Sequence, residues 1–305
     1  MDETSHEPVM VRQFLRRHFV RIVIGGVLAV AIYGMLTVWM PYHREQWIAR
    51  EIEAHEGKIE FKYCGPNWIS QSARDSVPLF SRIGKVELSS DVSEKLLSGL
   101  GSLTYLTNLS LDNTQVTGPG LEHLKGLTSL TKLYLNGTHV TDASLEHLKE
   151  LTNLRTLGVS DTQVTDGGLE HLTGLTNLTC LGLSNTQITG PGLKHLKGLI
   201  NLTTLFLHIS QVTDAGLGQL KGLTRLQVLS LHNTQITDTG LQNLTGLTNL
   251  MFLTFSNTQV TDAGLVHLKG LTTLKYLDLS DTQVTTEGRT MLRQALPGCD
   301  IQPNP

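Results

Sequence analysis

Two histidines and several aromatic residues in the middle of the chain are the first candidates for chemistry. His208 and His232 are 24 residues apart, which is also the period at which the surrounding sequence repeats. If neighbouring units place them side by side, they could bind a metal ion or join a protein contact, and protonating both near pH 6 would be unfavourable. Phe206 precedes this pair, and exposed aromatic residues are typical of protein contacts. The candidate contact residues are therefore Tyr134, Phe206, His208, His232, Phe252 and Tyr276.

We expect no metal site at the histidines. The first pair is flanked in the repeat pattern by Ser184 and Ser256, which add no strong ligand. A second row recurs at the helical positions of the repeats, and no carboxylate or cysteine completes a site there. That second row consists of His123, His147, His171, His195 and His267. Glu122–Lys125 and Glu146–Lys149 lie beside it as helical ion pairs, so we interpret the row as a solvated helix face.

Sequence signals for catalysis are absent. The chain contains no GxSxG, HExxH or GxxxxGK[ST] motif. Gly118–Gly120 and Gly190–Gly192 read GPG where other units read Asp-Ala-Gly, so we interpret them as variants of a turn rather than as phosphate loops. We expect no catalytic residue, no cofactor and no small-molecule substrate.

Composition argues against nucleic-acid binding and against a structure held together by cysteines. The formal net charge is −3, and the repeats hold no cluster of lysine and arginine, which argues against nucleic-acid binding. The three cysteines, Cys64, Cys180 and Cys299, are too few and too scattered for a disulfide framework or a cysteine-rich metal site.

The elements that must position the candidates come from a repeat of about 24 residues, seen best in Leu226–Asn249 and present about eight times. Leu229 and Leu231 lie two apart, which predicts one buried face of a short strand. Thr237 is the expected N-cap of a short helix that carries Leu241 and Leu244, and Gly246 is the expected left-handed stop.

Stacked repeat units bury leucine side chains that a single unit would leave exposed. Their leucines form one continuous core, and the residues between the strand leucines face the concave side. Small residues such as serine and glycine fill many of these outward positions, so the aromatic and histidine candidates stand out. A hydroxyl after each strand is expected to satisfy backbone groups of the loop. These hydroxyls belong to Thr114, Thr138, Thr162, Thr186, Ser210, Thr234, Thr258 and Thr282.

The strand pattern LxxLxLxxT resembles the leucine-rich repeat family. The tail V/I-T-D-x-G-L-x-x-L-K-G-L-T is similar to repeats of planctomycete bacterial proteins and, more loosely, to those of F-box adaptors. The resemblance implies an α/β leucine-rich repeat solenoid, a horseshoe or arc with parallel strands on the concave face and short helices on the convex face. We expect it over residues 83–305, in about nine repeats including terminal caps. It says little about function.

The N-terminus predicts a membrane anchor. Residues 1–18 are polar and rich in arginine, and residues 22–40 carry no charge, so we expect a transmembrane helix over residues 19–41. The arginines before the span place the N-terminus in the cytoplasm and the repeats outside. The alternative is a cleaved signal peptide with its site near Ala29–Ala31.

Residues 42–82 are interpreted as a juxtamembrane helix and an N-terminal cap. We expect a helix over 43–55 that stops at Gly57, then a strand over 58–63. At the other end, we expect a longer last helix, a partial strand at 299–301 and a buried Cys299.

Together these patterns indicate a single-pass protein that presents a protein-binding surface outside the cytoplasmic membrane, in a planctomycete-type bacterial envelope. One alternative is a structural cell-envelope protein that self-associates. Another is a soluble adaptor like the F-box proteins.

Overall fold

The computed structural model describes residues 23–65, 69–71, 78–89 and 92–303, and these form two compact units. The smaller unit holds the described residues up to Trp47 and those of Tyr63–Ser81. The larger unit holds Ile48–Lys62 and the described residues of Arg82–Pro305. The predicted segment 1–18 and the first residues of the predicted span lie outside the described residues.

Helix α1 runs over Val23–Ala54, starting in the smaller unit, and includes a π-helical stretch at Met35–Trp39. It is long and apolar enough to cross a membrane, and none of its most apolar part is buried in the structure. The same unit contains the 3₁₀ turn Pro78–Phe80, where the Cys64 N–H donates to the Phe80 carbonyl at 2.8 Å.

The end of α1 belongs to the larger unit, where Ile48 and Ile52 are fully buried. The expectation that Gly57 provides the left-handed stop is wrong, because Glu56 holds that conformation with φ 57°. The Gly57 N–H then donates to the Ile52 carbonyl at 2.9 Å, which closes the helix end. The strand predicted over 58–63 is confirmed.

Within the described residues, eleven strands follow one another in chain order in a single sheet. They are β1 Lys58–Tyr63, β2 Ser81–Glu87, β3 Asn108–Ser110, β4 Lys132–Tyr134, β5 Thr156–Gly158, β6 Cys180–Gly182, β7 Thr204–Phe206, β8 Val228–Ser230, β9 Phe252–Thr254, β10 Tyr276–Asp278 and β11 Asp300–Gln302. From β2 to β11 each strand pairs in parallel with the next. From β3 to β10 the register places each residue beside the one 24 positions later, so the sequence period is also the sheet register.

The segments that connect one strand to the next carry short helices. Some are the α-helices that the sequence predicts, and others are 3₁₀ helices. The α-helices are α2 Glu94–Leu100, α3 Gly118–Glu122, α4 Asp142–Leu145, α5 Asp214–Leu217, α6 Asp238–Leu241 and α7 Thr286–Ala295. Turns of 3₁₀ helix occupy Glu146–Leu148, Gly168–Leu172, Pro191–Leu196, Gly218–Leu220, Gln242–Leu244 and Gly264–Leu268. Thr237 is the N-cap of α6, as predicted. The longer last helix and the final strand are also confirmed, whereas Cys299 is only half-buried.

The left-handed corner of each unit is not at the predicted place. Gly246 is not left-handed, since the segment before it ends through a 3₁₀-type bond from the Leu247 N–H to the Leu244 carbonyl, 2.9 Å long. Apart from Gly190, the positive φ angles of the repeats fall instead just after the strands, where the chain leaves the sheet. These corner residues are Asn113, Gly137, Asp161, Asn185, Ile209, Asn233, Asn257 and Asp281.

The core is the predicted stack of leucines. The three leucines of the reference unit, Leu226, Leu229 and Leu231, are fully buried, as are their counterparts in the central units. The hydroxyl ladder is confirmed: each of the eight hydroxyls donates to the carbonyl three residues earlier, at 2.5–2.7 Å. These bonds satisfy the loop carbonyls beside an apolar interior.

Candidate functional site

The side chains on the sheet face opposite the leucine core form three parallel rows, which we call the strand face. In β3–β10 the middle residue of each strand is a buried leucine, and its two neighbours mostly remain partly or fully exposed. The first row is the first residue of each strand, the second row the last, and the third row lies two residues further on. The second row consists of Ser110, Tyr134, Gly158, Gly182, Phe206, Ser230, Thr254 and Asp278.

Two glycines in the second row open a depression between two aromatic rings. The register aligns Tyr134, Gly158, Gly182 and Phe206 on four consecutive strands. With strands about 4.8 Å apart, the two aromatic residues are roughly 14 Å apart along the row. Both rings line one open cavity of about 300 Å³, which we call the glycine pocket.

The rest of the glycine pocket is apolar on one side and polar on the other. Thr156 and Cys180 of the first row line one side, and burial raises the pKa of the Cys180 thiol. The third row and the corner residues provide the other side. Among the residues that line the pocket, Asp161 is the one with a formal charge when histidine is neutral.

Hydrogen bonds fix the third row from strand to strand. The Asn136 N–H donates to Asp112 Oδ1 at 2.8 Å, and the Ser160 N–H donates to Asn136 Oδ1 at 2.9 Å. The Ser184 N–H donates to Ser160 Oγ at 3.2 Å, and Ser184 Oγ lies 2.8 Å from Nδ1 of His208. The polar wall of the pocket is therefore held in place before any partner binds.

The two candidate histidines stack on each other. The rings of His208 and His232 are 4.2 Å apart and inclined by only 15°, and Phe206 meets His208 edge-on at 6.3 Å. Ser230 Oγ lies 3.2 Å and 3.3 Å from the Nδ1 atoms of the two histidines. Burial lowers the pKa of His208, the charge of His232 lowers it further, and Asp161 opposes both. The neutral form of His208 is therefore favoured at neutral pH.

The six predicted contact residues fall into two groups on the strand face. Tyr134, Phe206 and His208 line the glycine pocket, and His232 stacks against this group. Phe252 and Tyr276 are register partners in the first row of β9 and β10, and Phe252 is 45% exposed. Neither of these two lines the pocket.

Ile209 belongs beside these groups, and the sequence pattern alone did not single it out. It is 48% exposed and has φ 54°, a conformation that is strained for a β-branched residue. The equivalent corners hold asparagine, aspartate or glycine, so the signal in the sequence was this break in the pattern. In the sequence, Gly158 and Gly182 are recognisable only as small residues. The depression above them forms because the sheet register places them on neighbouring strands.

The helix-side histidines form a different surface. His123 lies 3.8 Å from Glu94, and His171 lies 3.9 Å from Glu170. Over the described ranges, no three histidine, cysteine, aspartate or glutamate side chains converge as metal ligands. The predicted pairs Glu122–Lys125 and Glu146–Lys149 are confirmed, at 3.1 Å and 3.2 Å.

Comparisons with known proteins agree with this architecture. The leucine-rich repeat model matches residues 150–172, 174–197 and 270–292. The structure is similar to internalin C2 of Listeria monocytogenes, with 28% identity over 69% of this chain and 82% of that one, and a TM-score of 0.52. It is also similar in fold to the leucine-rich repeat ectodomain of the plant membrane receptor kinase GASSHO1/SCHENGEN3 of Arabidopsis thaliana, solved in complex with Casparian strip integrity factor 2. That match has 20% identity over 78% of this chain and 30% of that one, and a TM-score of 0.52. No curated protein sequence matches the chain. The larger unit is thus a leucine-rich repeat solenoid, a fold that fits a scaffold for protein interaction.

Proposed function

We propose that the protein is a membrane-anchored, non-catalytic scaffold that binds a protein partner through its strand face. The observation that carries this proposal is the clustering of half-exposed aromatic and apolar side chains on a sheet whose other face is a dry core. Phe206, His208, Ile209 and Phe252 lie on or beside β7–β9, among neighbours that are mostly small. Aromatic side chains that become buried in a complex often serve as the anchors of a protein contact.

The anchoring part of the proposal rests on α1. Its exposed apolar residues, among them Val27, Val30 and Ile32, require lipid or another cover. We propose that residues 19–41 cross the cytoplasmic membrane once, that residues 1–18 remain in the cytoplasm and that residues 42–82 connect and cap the repeats of 83–305. The positive-inside pattern supports an outer location for the repeats. The resemblance of the repeats to those of planctomycete proteins supports a bacterial envelope.

Site-specific photo-crosslinking in cells that produce the full chain tests the binding surface. A benzophenone amino acid is placed at Thr204 or Val228 on the strand face, and at Lys194 or Val266 on the helix side as matched controls. We expect ultraviolet light to produce a distinct adduct of higher mass from the two strand-face positions and not from the controls.

Mass spectrometry of the adduct separates the remaining possibilities. A different protein in the adduct supports the proposal, whereas a second copy of this chain supports the structural, self-associating alternative. Adducts that form equally from the helix side would show that the strand face is not the binding surface.

A further inference from the structure

We infer that the glycine pocket receives an extended segment of the protein partner, which inserts one aromatic side chain between Tyr134 and Phe206 and places a lysine or arginine beside Asp161. This inference rests on the proposed function and specifies the chemistry of its partner.

The floor of the pocket supports this assignment because packing restricts Gly182 less than it restricts Gly158. A Cβ atom added at Gly158 would meet the Asn136 side-chain amide at 2.7 Å and 2.8 Å, so the fold itself needs that glycine. A Cβ atom at Gly182 would make one tight contact, with the Ser160 hydroxyl at 3.1 Å, and its next neighbour lies at 3.6 Å. Glycine weakens a strand, so its presence at 182 is accounted for by the space above it.

The size and walls of the pocket match a side chain better than a free ligand. Pockets for small molecules span roughly 300–1,000 Å³, and this cavity of about 300 Å³ lies at the lower limit and is open to solvent. Its two ends are aromatic rings, and aromatic partners add edge or stacking contacts to the area that they bury. Such a space accommodates a single aromatic side chain, and the polypeptide that carries it would cover the open side.

Charge complementarity specifies the neighbour of that side chain. Asp161 is held at the pocket rim by its left-handed backbone and accepts a hydrogen bond from Asn185 Nδ2 at 2.6 Å. One such bond leaves most of the carboxylate acceptor sites unused. His208 is disfavoured as a cation, so the pocket does not neutralise this charge itself. A lysine or arginine of the partner is therefore the favoured occupant, because its ion pair would be partly desolvated.

The spacing along the strand favours an extended segment. Asp161 comes three residues after Gly158, roughly 10 Å along the chain direction. In an extended segment, side chains two positions apart point the same way and are about 7 Å apart, and a long basic side chain covers the remainder. The expected motif is thus an aromatic residue with lysine or arginine two positions away.

Selection of displayed random dodecapeptides on the full chain in detergent micelles tests the inference. We expect enrichment of the aromatic-x-basic motif over empty micelles, and measurable binding of a synthetic consensus peptide by fluorescence anisotropy. Gly182→Leu fills the pocket and should weaken that peptide at least tenfold, whereas Thr254→Leu, in the same row outside the pocket, should leave affinity within twofold. Asp161→Asn keeps the left-handed corner and should weaken binding about fivefold while reducing its salt dependence.

Phe206 forms one aromatic end of the pocket, and its removal provides a second variant in case Gly182→Leu does not fold. Phe206→Ala creates space instead of filling it and should also weaken the consensus peptide at least tenfold. Absence of the motif among selected peptides, or equal binding by Phe206→Ala and the unchanged chain, would overturn the inference. If a photo-crosslink from Thr204 persists in Gly182→Leu, the strand face binds its partner without the pocket and the inference is wrong. If the unchanged chain forms no crosslink from any strand-face position, the proposed function itself is rejected.

Discussion

At the scale of single residues, an aspartate at the helix start of several units ties its unit to the next. Asp238 accepts from the Thr261 N–H at 2.8 Å and from Thr261 Oγ at 2.7 Å, so one carboxylate satisfies two donors of the following unit. Asp142, Asp214 and Asp262 bind the threonine 23 positions later in the same way. The sequence pattern predicts for this aspartate only a favourable place near a helix start, because the link to the next unit depends on how the units stack.

We predict that Asp238→Ala lowers the free energy of unfolding by about 2 kcal/mol, because two partly buried donors lose a charged acceptor. The exposed neighbour Thr239→Ala serves as the control and should change stability little. Thermal unfolding of the full chain in detergent, followed by circular dichroism, provides the comparison. Equal midpoints for the two variants would contradict the role given to the aspartate.

Ile209 allows a substitution that stabilises. Its left-handed backbone costs roughly 1–2 kcal/mol for a non-glycine residue, and its side chain is too exposed for its removal to leave a cavity. We predict that Ile209→Asn raises the unfolding free energy by about 1 kcal/mol. The reverse exchange at the equivalent corner, Asn233→Ile, should lower it, since Asn233 also accepts a hydrogen bond from Asn257. A lower midpoint for Ile209→Asn would show that its side chain is held by contacts that outweigh the strain.

The histidine stack predicts a pH dependence of stability. The folded-state pKa of His208 is lowered, chiefly by burial and then by the charge of His232, so the unfolded chain binds the proton more readily. Stability is therefore retained above the unfolded value of about 6.5 and falls as the pH drops through and below it. We expect His208→Gln to reduce the fall in unfolding midpoint between pH 7.5 and 5, and His267→Gln on the helix side to leave it unchanged. The same slope in all three proteins would contradict this prediction.

At the scale of elements, the spacing of apolar residues predicted the strands but not every turn. Leu229 and Leu231 identify a strand because residues two apart share one face in an extended chain and not in a helix. The position of the left-handed corner was predicted wrongly. The reference unit has two residues that tolerate positive φ, Gly246 and Asn233, and local conformational preference does not distinguish between them. The choice is made by tertiary structure: the chain must turn sharply where it leaves the sheet. The glycine pocket likewise required the register, since Gly158 and Gly182 are 24 residues apart in sequence and adjacent only across strands.

Helix α1 gives a prediction at this scale. In a chain with its native cysteines replaced, Ser5→Cys should react with a membrane-impermeant maleimide only after cells are permeabilised, because the positive-inside pattern retains the N-terminus in the cytoplasm. Thr245→Cys, at an exposed position of the repeats, should react in intact cells. Labelling of both positions only after lysis would place the repeats inside and favour the soluble-adaptor alternative.

At the scale of the whole larger unit, one apolar interior serves all the stacked units and leaves much of the opposite face of the sheet outside the core. Leucine positions vary little along the chain because every unit packs on its neighbours. Outward positions of the strand face accept more varied residues, and the aromatic and histidine side chains there are Tyr134, Phe206, His208, His232, Phe252 and Tyr276. Because the core leucines recur in every unit, the sequence predicted the fold. Because the residues of the strand face differ from unit to unit, the partner has to be inferred from the chemistry of that surface.

The most direct test of recognition by the strand face compares two double variants, each of which removes two large apolar side chains that are at least partly exposed. Phe206→Ala with Phe252→Ala alters the strand face, whereas Ile200→Ala with Val266→Ala alters positions outside it that are 59% and 53% exposed. The yield of the adduct from a photo-crosslinker at Val228 is measured in both. We predict at least a tenfold loss in the first variant, about 1.4 kcal/mol or more of binding free energy, and less than a twofold change in the second. Equal yields from the two variants would contradict the claim that the strand face carries recognition.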